Sequence, residues 1–152
     1  MLPTPTKFTL VAGGAEGPNR LNAFDNALLE AGIGNLNLVK VSSVLPPGAV
    51  AVDTLSIPPG SLVPTAYGAI TSETPGEIIA AAVGVGRHGD DYGVIMEYSG
   101  RCTKEEAEEI VAGMVRHAFA RRGLELTELK VKGVEHRVEK VGCAFAAVAL
   151  WY

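Results

Sequence analysis

Two adjacent serines, Ser42 and Ser43, stand where the run Leu36-Asn37-Leu38-Val39-Lys40-Val41 meets Val44-Leu45-Pro46-Pro47. A hydroxyl at position 43 lies one peptide bond from the carbonyl of Ser42, so it can attack that carbonyl and move the acyl group from nitrogen to oxygen. β-Elimination of the ester breaks the chain, and hydrolysis of the resulting dehydroalanine leaves a pyruvoyl group on residue 43. A ketone made from the protein's own backbone can act as an electron sink in the way pyridoxal phosphate does. The dipeptide alone does not select this chemistry, because serine pairs are common in chains of this size.

The surrounding elements must therefore position it. Residues 36 to 43 alternate Leu36, Leu38, Lys40 and Ser42 with Asn37, Val39, Val41 and Ser43, the period of a strand, which puts the serine pair at a strand end. Residues 7 to 12 read as an earlier strand, followed by a glycine-rich turn and a helix with Asn22 as cap, Phe24, Ala27, Leu28 and Ala31 on one face and Gly32 as stop. Five prolines between 44 and 64 predict short extended pieces and turns. Three strands follow over Thr65 to Thr71, Glu77 to Val85 and Tyr92 to Tyr98. A second helix spans Glu105 to Arg121, capped by Thr103 with Glu106 completing a capping box and Gly123 ending it; Ile110, Met114, Ala118 and Arg121 mark its face. Strands over Glu128 to Val138 and Cys143 to Leu150 close the chain, the last built of small apolar residues suited to a tight interior. Consecutive strands on short turns imply mostly antiparallel pairing, so the fold class is an α+β layered sandwich.

Several side chains have chemical potential. Glu97, inside the apolar strand Val94-Ile95-Met96-Glu97-Tyr98, shares a face with Ile95; it is either edge-exposed or desolvated with a raised pKa, and in the second case it can act as an acid near neutral pH. Asp25 falls in a first helical turn, where a carboxylate suits the dipole. Asn37 can pair across a sheet edge. Gly84-Val85-Gly86-Arg87-His88-Gly89 matches the dinucleotide fingerprint, but Asp90-Asp91 and a strand follow where a helix is needed, so it reads as a hairpin turn. The loop at Gly13 to Gly17 does sit between a strand and a helix, and it keeps a nucleotide-binding enzyme open as an alternative although it lacks both phosphate-loop patterns. A non-catalytic trimeric scaffold is the other. His88, His117 and His136 have no metal-ligand spacing and read as surface or helix-face residues, and no metal is expected. Lys40 and Lys104 have no context for a pyridoxal Schiff base.

The 152 residues suit one domain, and a composition 47% hydrophobic and 20% charged excludes disorder. A net charge of -4 without basic runs argues against nucleic acid and anionic membranes as partners, while leaving cationic small molecules suitable. Cys102 and Cys143 lack CxxC spacing and read as free thiols of a reducing cytoplasm, and no segment has the length of a secretory signal or a membrane span.

Across nearly its whole length the chain resembles the pyruvoyl-dependent arginine decarboxylases. The resemblance lies in Leu21-Asn22-Ala23-Phe24-Asp25, Ala31-Gly32-Ile33-Gly34-Asn35, Val63-Pro64-Thr65-Ala66-Tyr67-Gly68, Met96-Glu97-Tyr98, and Val138-Glu139-Lys140 through Ala149-Leu150-Trp151-Tyr152, in that order, with the serine pair between the second and third. It implies a covalent pyruvoyl cofactor from Ser43, self-cleavage between Ser42 and Ser43 into chains 1–42 and 43–152, and conversion of L-arginine to agmatine and CO2. It further implies Glu97 as proton donor, Asp25 as the ligand of the guanidinium, and Asn37 in support of self-processing. The stretch from Leu36 to Ser42 would supply backbone groups to the substrate. The fold implied is two packed sheets flanked by helices, assembled as a trimer with active sites between neighbouring subunits.

Overall fold

The strand Gly142–Trp151 reads GCAFAAVALW and is buried along all but its last residue. Its alternation serves two interiors: Ala144, Ala146, Val148 and Leu150 point into one apolar cluster, and Cys143, Phe145 and Ala147 into another on the opposite face. Small side chains at these positions let the layers on both sides approach closely. A computed structural model, which describes residues 2–152, builds the rest of the fold around this strand.

In chain order the elements are β1 (Lys7–Glu16), α1 (Arg20–Glu30), β2 (Asn37–Lys40), β3 (Val44–Leu45), β4 (Val50–Ala51), β5 (Leu62–Ser72), β6 (Ile78–Arg87), β7 (Gly93–Gly100), α2 (Lys104–Arg122), β8 (Glu128–Arg137) and β9 (Gly142–Trp151). One sheet has the order β2-β5-β9-β1-β4 and the other β3-β7-β6-β8. Pairing is antiparallel except where the short strands β2 and β4 join β5 and β1 in parallel. The two sheets face each other across the cluster containing Phe8, Leu45, Val83, Ile95 and Val148. Helix α1 covers the outer face of the first sheet through Ala23, Ala27 and Leu28, and α2 covers the second through Ala107, Val111, Val115 and Phe119. The α+β reading with two mostly antiparallel sheets flanked by helices therefore holds.

Local expectations fare unevenly. Thr103 and Glu106 form the capping box of α2, and Gly123 ends the helix at φ 66°. Its buried stripe, however, is Ala107, Val111, Val115, Ala118 and Phe119; Ile110 and Arg121 are exposed, so the predicted face was out of phase. At α1 the cap is Asn19, whose side chain accepts from the Asn22 amide at 2.8 Å, and not Asn22. That shift moves Asp25 into the second turn, beyond the reach of the first-turn dipole argument.

Neither glycine motif is a phosphate loop. Gly84 and Gly86 lie inside β6, where an added Cβ would come within 2.5 Å of the side chains of Val111 and Val115, so their absence of side chains lets α2 seat on the sheet. The nucleotide-loop alternative at Gly13 to Gly17 is overturned because β1 runs through to Glu16. A Cβ on Gly13 would sit 2.5 Å from the Ala27 carbonyl oxygen of α1, leaving no room for a phosphate.

Candidate active site

Backbone hydrogen bonds determine where the serine pair sits. The Val41 amide donates to the Thr65 carbonyl at 3.1 Å, extending the β2–β5 pairing. Two residues later the Ile95 amide donates to the Ser43 carbonyl at 2.8 Å, beginning the β3–β7 pairing. Ser42, exposed and in neither strand, is thus the step from one sheet to the other. Ser43 is half-buried.

Strand β7 then brings Glu97. Since Val44 faces Val94 and Leu45 faces Gly93, Ser43 falls opposite Ile95, on the face shared by Leu45, Ile95 and Glu97. Glu97 is two positions further along β7, about 7 Å at roughly 3.4 Å per residue. It stands opposite Val83 of β6, and across the sheet gap its Cβ is 3.4 Å from where a Cβ on Gly68 of β5 would be. Burial in these surroundings raises the Glu97 pKa above the usual carboxylate value, with the charge of Lys40 partly opposing the rise. Of the two sequence alternatives for Glu97, the desolvated one is realised.

Lys40, the last residue of β2, holds its Nζ 4.6 Å from the centre of the Tyr67 ring. Tyr67 is itself braced by Phe24 of α1 and Phe145 of β9, at ring separations of 6.3 and 5.5 Å. Helix, sheet and lysine are therefore linked through one aromatic cluster on the α1 side of the first sheet. Sequence reading weighed Lys40 only as a pyridoxal lysine and met Tyr67 and Gly68 only within a family-like block; the signal for their proximity was the place of Lys40 on the strand face alternating toward Ser42.

The model of the pyruvoyl-dependent arginine decarboxylase family matches residues 7–152. Relatives described as pyruvoyl-dependent arginine decarboxylases include those of Methanocaldococcus jannaschii, 54% identical over 97% of this chain and 91% of the relative, and Pyrococcus furiosus, 50% identical over 97% and 96%. One from Methanococcus maripaludis strain C7 is 49% identical over 97% and 92%.

The chain belongs to the pyruvoyl-dependent arginine decarboxylase family.

Of the remaining residues that the family resemblance had singled out, Asn37 stands away from Ser43 within one copy. Asn37, at the start of β2, is exposed and donates its side-chain amide to the Gly60 carbonyl at 2.9 Å. Five residue steps, about 16 Å at roughly 3.3 Å each, separate it from Ser42. Leu36 lines a cavity of about 400 Å³ with Ile33, Gly34, Asp53, Leu55 and Ile57, and Ser43 is not among its walls. Asp25 is exposed on α1, and among the described residues it has no ion pair.

Two other expectations for this decarboxylase-family chain need correction or completion. His136 is no surface residue: it is half-buried on β8 and its Nε2 meets Glu16 Oε2 at 2.6 Å. Cys102 and Cys143 are free thiols, and burial pushes Cys143 up to about 11, far from thiolate chemistry. Among the described residues no helix is long and apolar enough to cross a membrane, and no His, Cys, Asp and Glu residues group as a metal site.

Proposed function

We propose that this protein cleaves itself between Ser42 and Ser43, carries a covalent pyruvoyl group at position 43, and decarboxylates L-arginine to agmatine and CO2. The observation that carries the reading is the seating of Ser43: its carbonyl is bonded to Ile95, and the desolvated Glu97 follows on the same face two positions along. Family membership supports the reaction and the cofactor. Residue 43 fits such a group because its carbonyl is anchored independently of the bond to Ser42, so breaking that bond leaves it in place.

The pyruvoyl ketone supplies a carbonyl that binds the substrate amine and takes up the electron pair released as CO2 leaves. The chain's own residues do the rest. Glu97, whose pKa burial raises above the usual carboxylate value, delivers a proton to the α-carbon. Asp25 offers two carboxylate oxygens to the planar fork of the guanidinium. Measuring substrate between a fixed carboxylate and residue 43 then discriminates by length.

The separation of Asn37 from Ser43 along an extended strand supports a site completed by a second copy, in line with a homotrimer of cleaved protomers acting in the cytoplasm. Asn37 of a neighbouring copy would donate to the oxyanion formed at the Ser42 carbonyl. Intact-mass spectrometry tests the proposal: chains 1–42 and 43–152, with decarboxylation of arginine, are expected. An unbroken chain that decarboxylates arginine refutes the pyruvoyl assignment, and an unbroken, inert trimer supports the scaffold reading instead.

A further inference from the structure

Glu16, the last residue of β1, ties together strands of both sheets and helix α1. One oxygen of its carboxylate accepts from the amides of Lys140 and Val141, at 2.8 and 3.1 Å, in the turn that leads into β9. The other meets Nε2 of His136 on β8 at 2.6 Å. A carboxylate only accepts, so this ring nitrogen carries the hydrogen of the bond. The imidazole fits because its neighbours have no side chains: a Cβ on Gly142 would lie 2.7 Å from the ring Cδ2, and one on Gly14 would lie 3.0 Å from the His136 Cβ. Glu16 is thereby fixed in place by groups from β8 and from the start of β9.

The same residue holds α1 through its backbone. Its carbonyl accepts from Nδ2 of Asn26 at 3.0 Å, and the amide of the next residue, Gly17, donates to the Val141 carbonyl at 3.0 Å. Gly13 and Gly17 lie against Ala27 and Ala23 respectively, so closely that a Cβ on either glycine would collide with the backbone of α1. No side chain cushions the helix on the strand there, and its place along β1 follows the place of the strand end. Asp25 sits next to Asn26, exposed, between the buried Ala23 and Ala27.

We propose that Glu16, held by His136, is a positioning residue for arginine recognition: it anchors the end of β1 to which Asn26 fastens α1, and so sets where the Asp25 carboxylate meets the far end of the substrate. The inference rests on Asp25 being the ligand of the guanidinium. A planar fork bonds both carboxylate oxygens only over a narrow range of distance and tilt, so a small displacement of α1 weakens the contact. A contact equally strong in the ground and transition states shows in KM and spares kcat.

Steady-state kinetics of the cleaved protein with arginine test the inference in Asn26→Ala, His136→Ala and His136→Gln, each also combined with Asp25→Asn. Asn26→Ala removes the bond to Glu16 and installs the best helix former, so α1 itself is not weakened; it carries the test alone if His136→Ala fails to fold. Asn26→Ala and His136→Ala are each expected to raise KM by about fivefold or more, a part of the cost of losing the carboxylate outright, with kcat within about twofold of the parent. His136→Gln, whose amide can donate to the same oxygen, should stay close to the parent. In the Asp25→Asn background neither substitution should raise KM further. An unmoved KM in either folded variant, or a rise as large with Asp25→Asn as without it, overturns the proposal. If Asp25→Asn alone handles arginine as the parent does, the recognition reading falls, and hydrogen exchange of the α1 amides then decides on the anchor: faster exchange in Asn26→Ala and His136→Ala upholds it, and unchanged protection overturns it too.

Discussion

Val41 and Ser43 are two residues apart yet hydrogen-bonded to different sheets: the Val41 amide to Thr65 of β5, the Ser43 carbonyl to Ile95 of β7. The peptide joining Ser42 to Ser43 is consequently held from both sides by long strands that belong to separate layers. Cleavage there separates no hydrogen-bonded pair of either sheet.

Ser43→Ala removes the attacking hydroxyl and leaves the two flanking hydrogen bonds, which are backbone in origin. The variant should fold, remain a single chain of full mass and show no decarboxylation. For the parent, the larger chain should be blocked to Edman sequencing and weigh about one ammonia less than a plain hydrolysis product, as the elimination requires. A free serine at its N-terminus would sink the pyruvoyl assignment.

The nicked protein should not fall apart. Strand β1, on the 1–42 side, pairs with β9 from Lys7 opposite Trp151 through Glu16 opposite Gly142, while β2 lies against β5 and α1 against the cluster around Phe145. The first sheet thus interleaves strands from both products. Native mass spectrometry should find chains 1–42 and 43–152 together, separating only in denaturant; dissociation in native buffer would contradict the strand order described.

Glu97→Gln should lower kcat by about a hundredfold or more, the usual worth of general acid catalysis. Because burial raises the Glu97 pKa, the native state binds the proton more tightly than the unfolded state, and stability falls as pH rises from the unfolded value of 4.5 through the raised one. Glutamine carries no charge to desolvate. Thermal melts of Glu97→Gln should therefore lose less stability than the parent as pH rises across that window, and parallel pH profiles would refute a desolvated Glu97.

Glu16 behaves in the opposite sense. Burial pushes its pKa up, but hydrogen bonds from the Lys140 amide at 2.8 Å and from His136 outweigh it and leave the pKa lowered. A lowered carboxylate pKa contributes stability that is present above the ordinary value and is lost as pH falls through the folded one. Glu16→Ala strands the amides of Lys140 and Val141 and should cost about 1 to 3 kcal/mol near pH 7, with the difference from the parent shrinking in acid. Urea titrations at neutral and acid pH measure both quantities.

Asp25→Asn should leave self-cleavage intact and raise KM for arginine steeply, by the equivalent of roughly 2 to 5 kcal/mol for a cation left without its counter-charge. A smaller effect on kcat is expected if the contact is equally strong in the ground and transition states. Ornithine and lysine, with shorter reach and no planar fork, are the informative competitors. Equal handling of arginine by variant and parent would remove Asp25 from recognition.

By itself the sequence determined whatever depends on neighbours along the chain. The adjacency of Ser42 and Ser43 carries the proposed cleavage chemistry, Thr103 and Glu106 cap α2 across three residues, and Asp90-Asp91 after the glycine motif calls for a hairpin and not a phosphate-binding helix. Periodicity put Glu97 on the face of Ile95, since strand alternation is local. It failed where two patterns compete: small apolar residues run around most of α2, so the choice of Ala107, Val111, Val115 and Phe119 over Ile110 and Arg121 was made by the sheet beneath, whose Gly84 and Gly86 admit Val111 and Val115. Likewise Asn19 and Asn22 are equally good caps until the end of β1 decides where the helix begins. Tertiary structure alone brought Lys40 onto Tyr67 and Gly68 against Glu97, because β2, β5 and β7 are far apart in the chain and meet only through sheet pairing and the packing of one sheet on the other. It also parted Asn37 from Ser42, since an extended strand keeps residues at its two ends apart however close they stand in sequence.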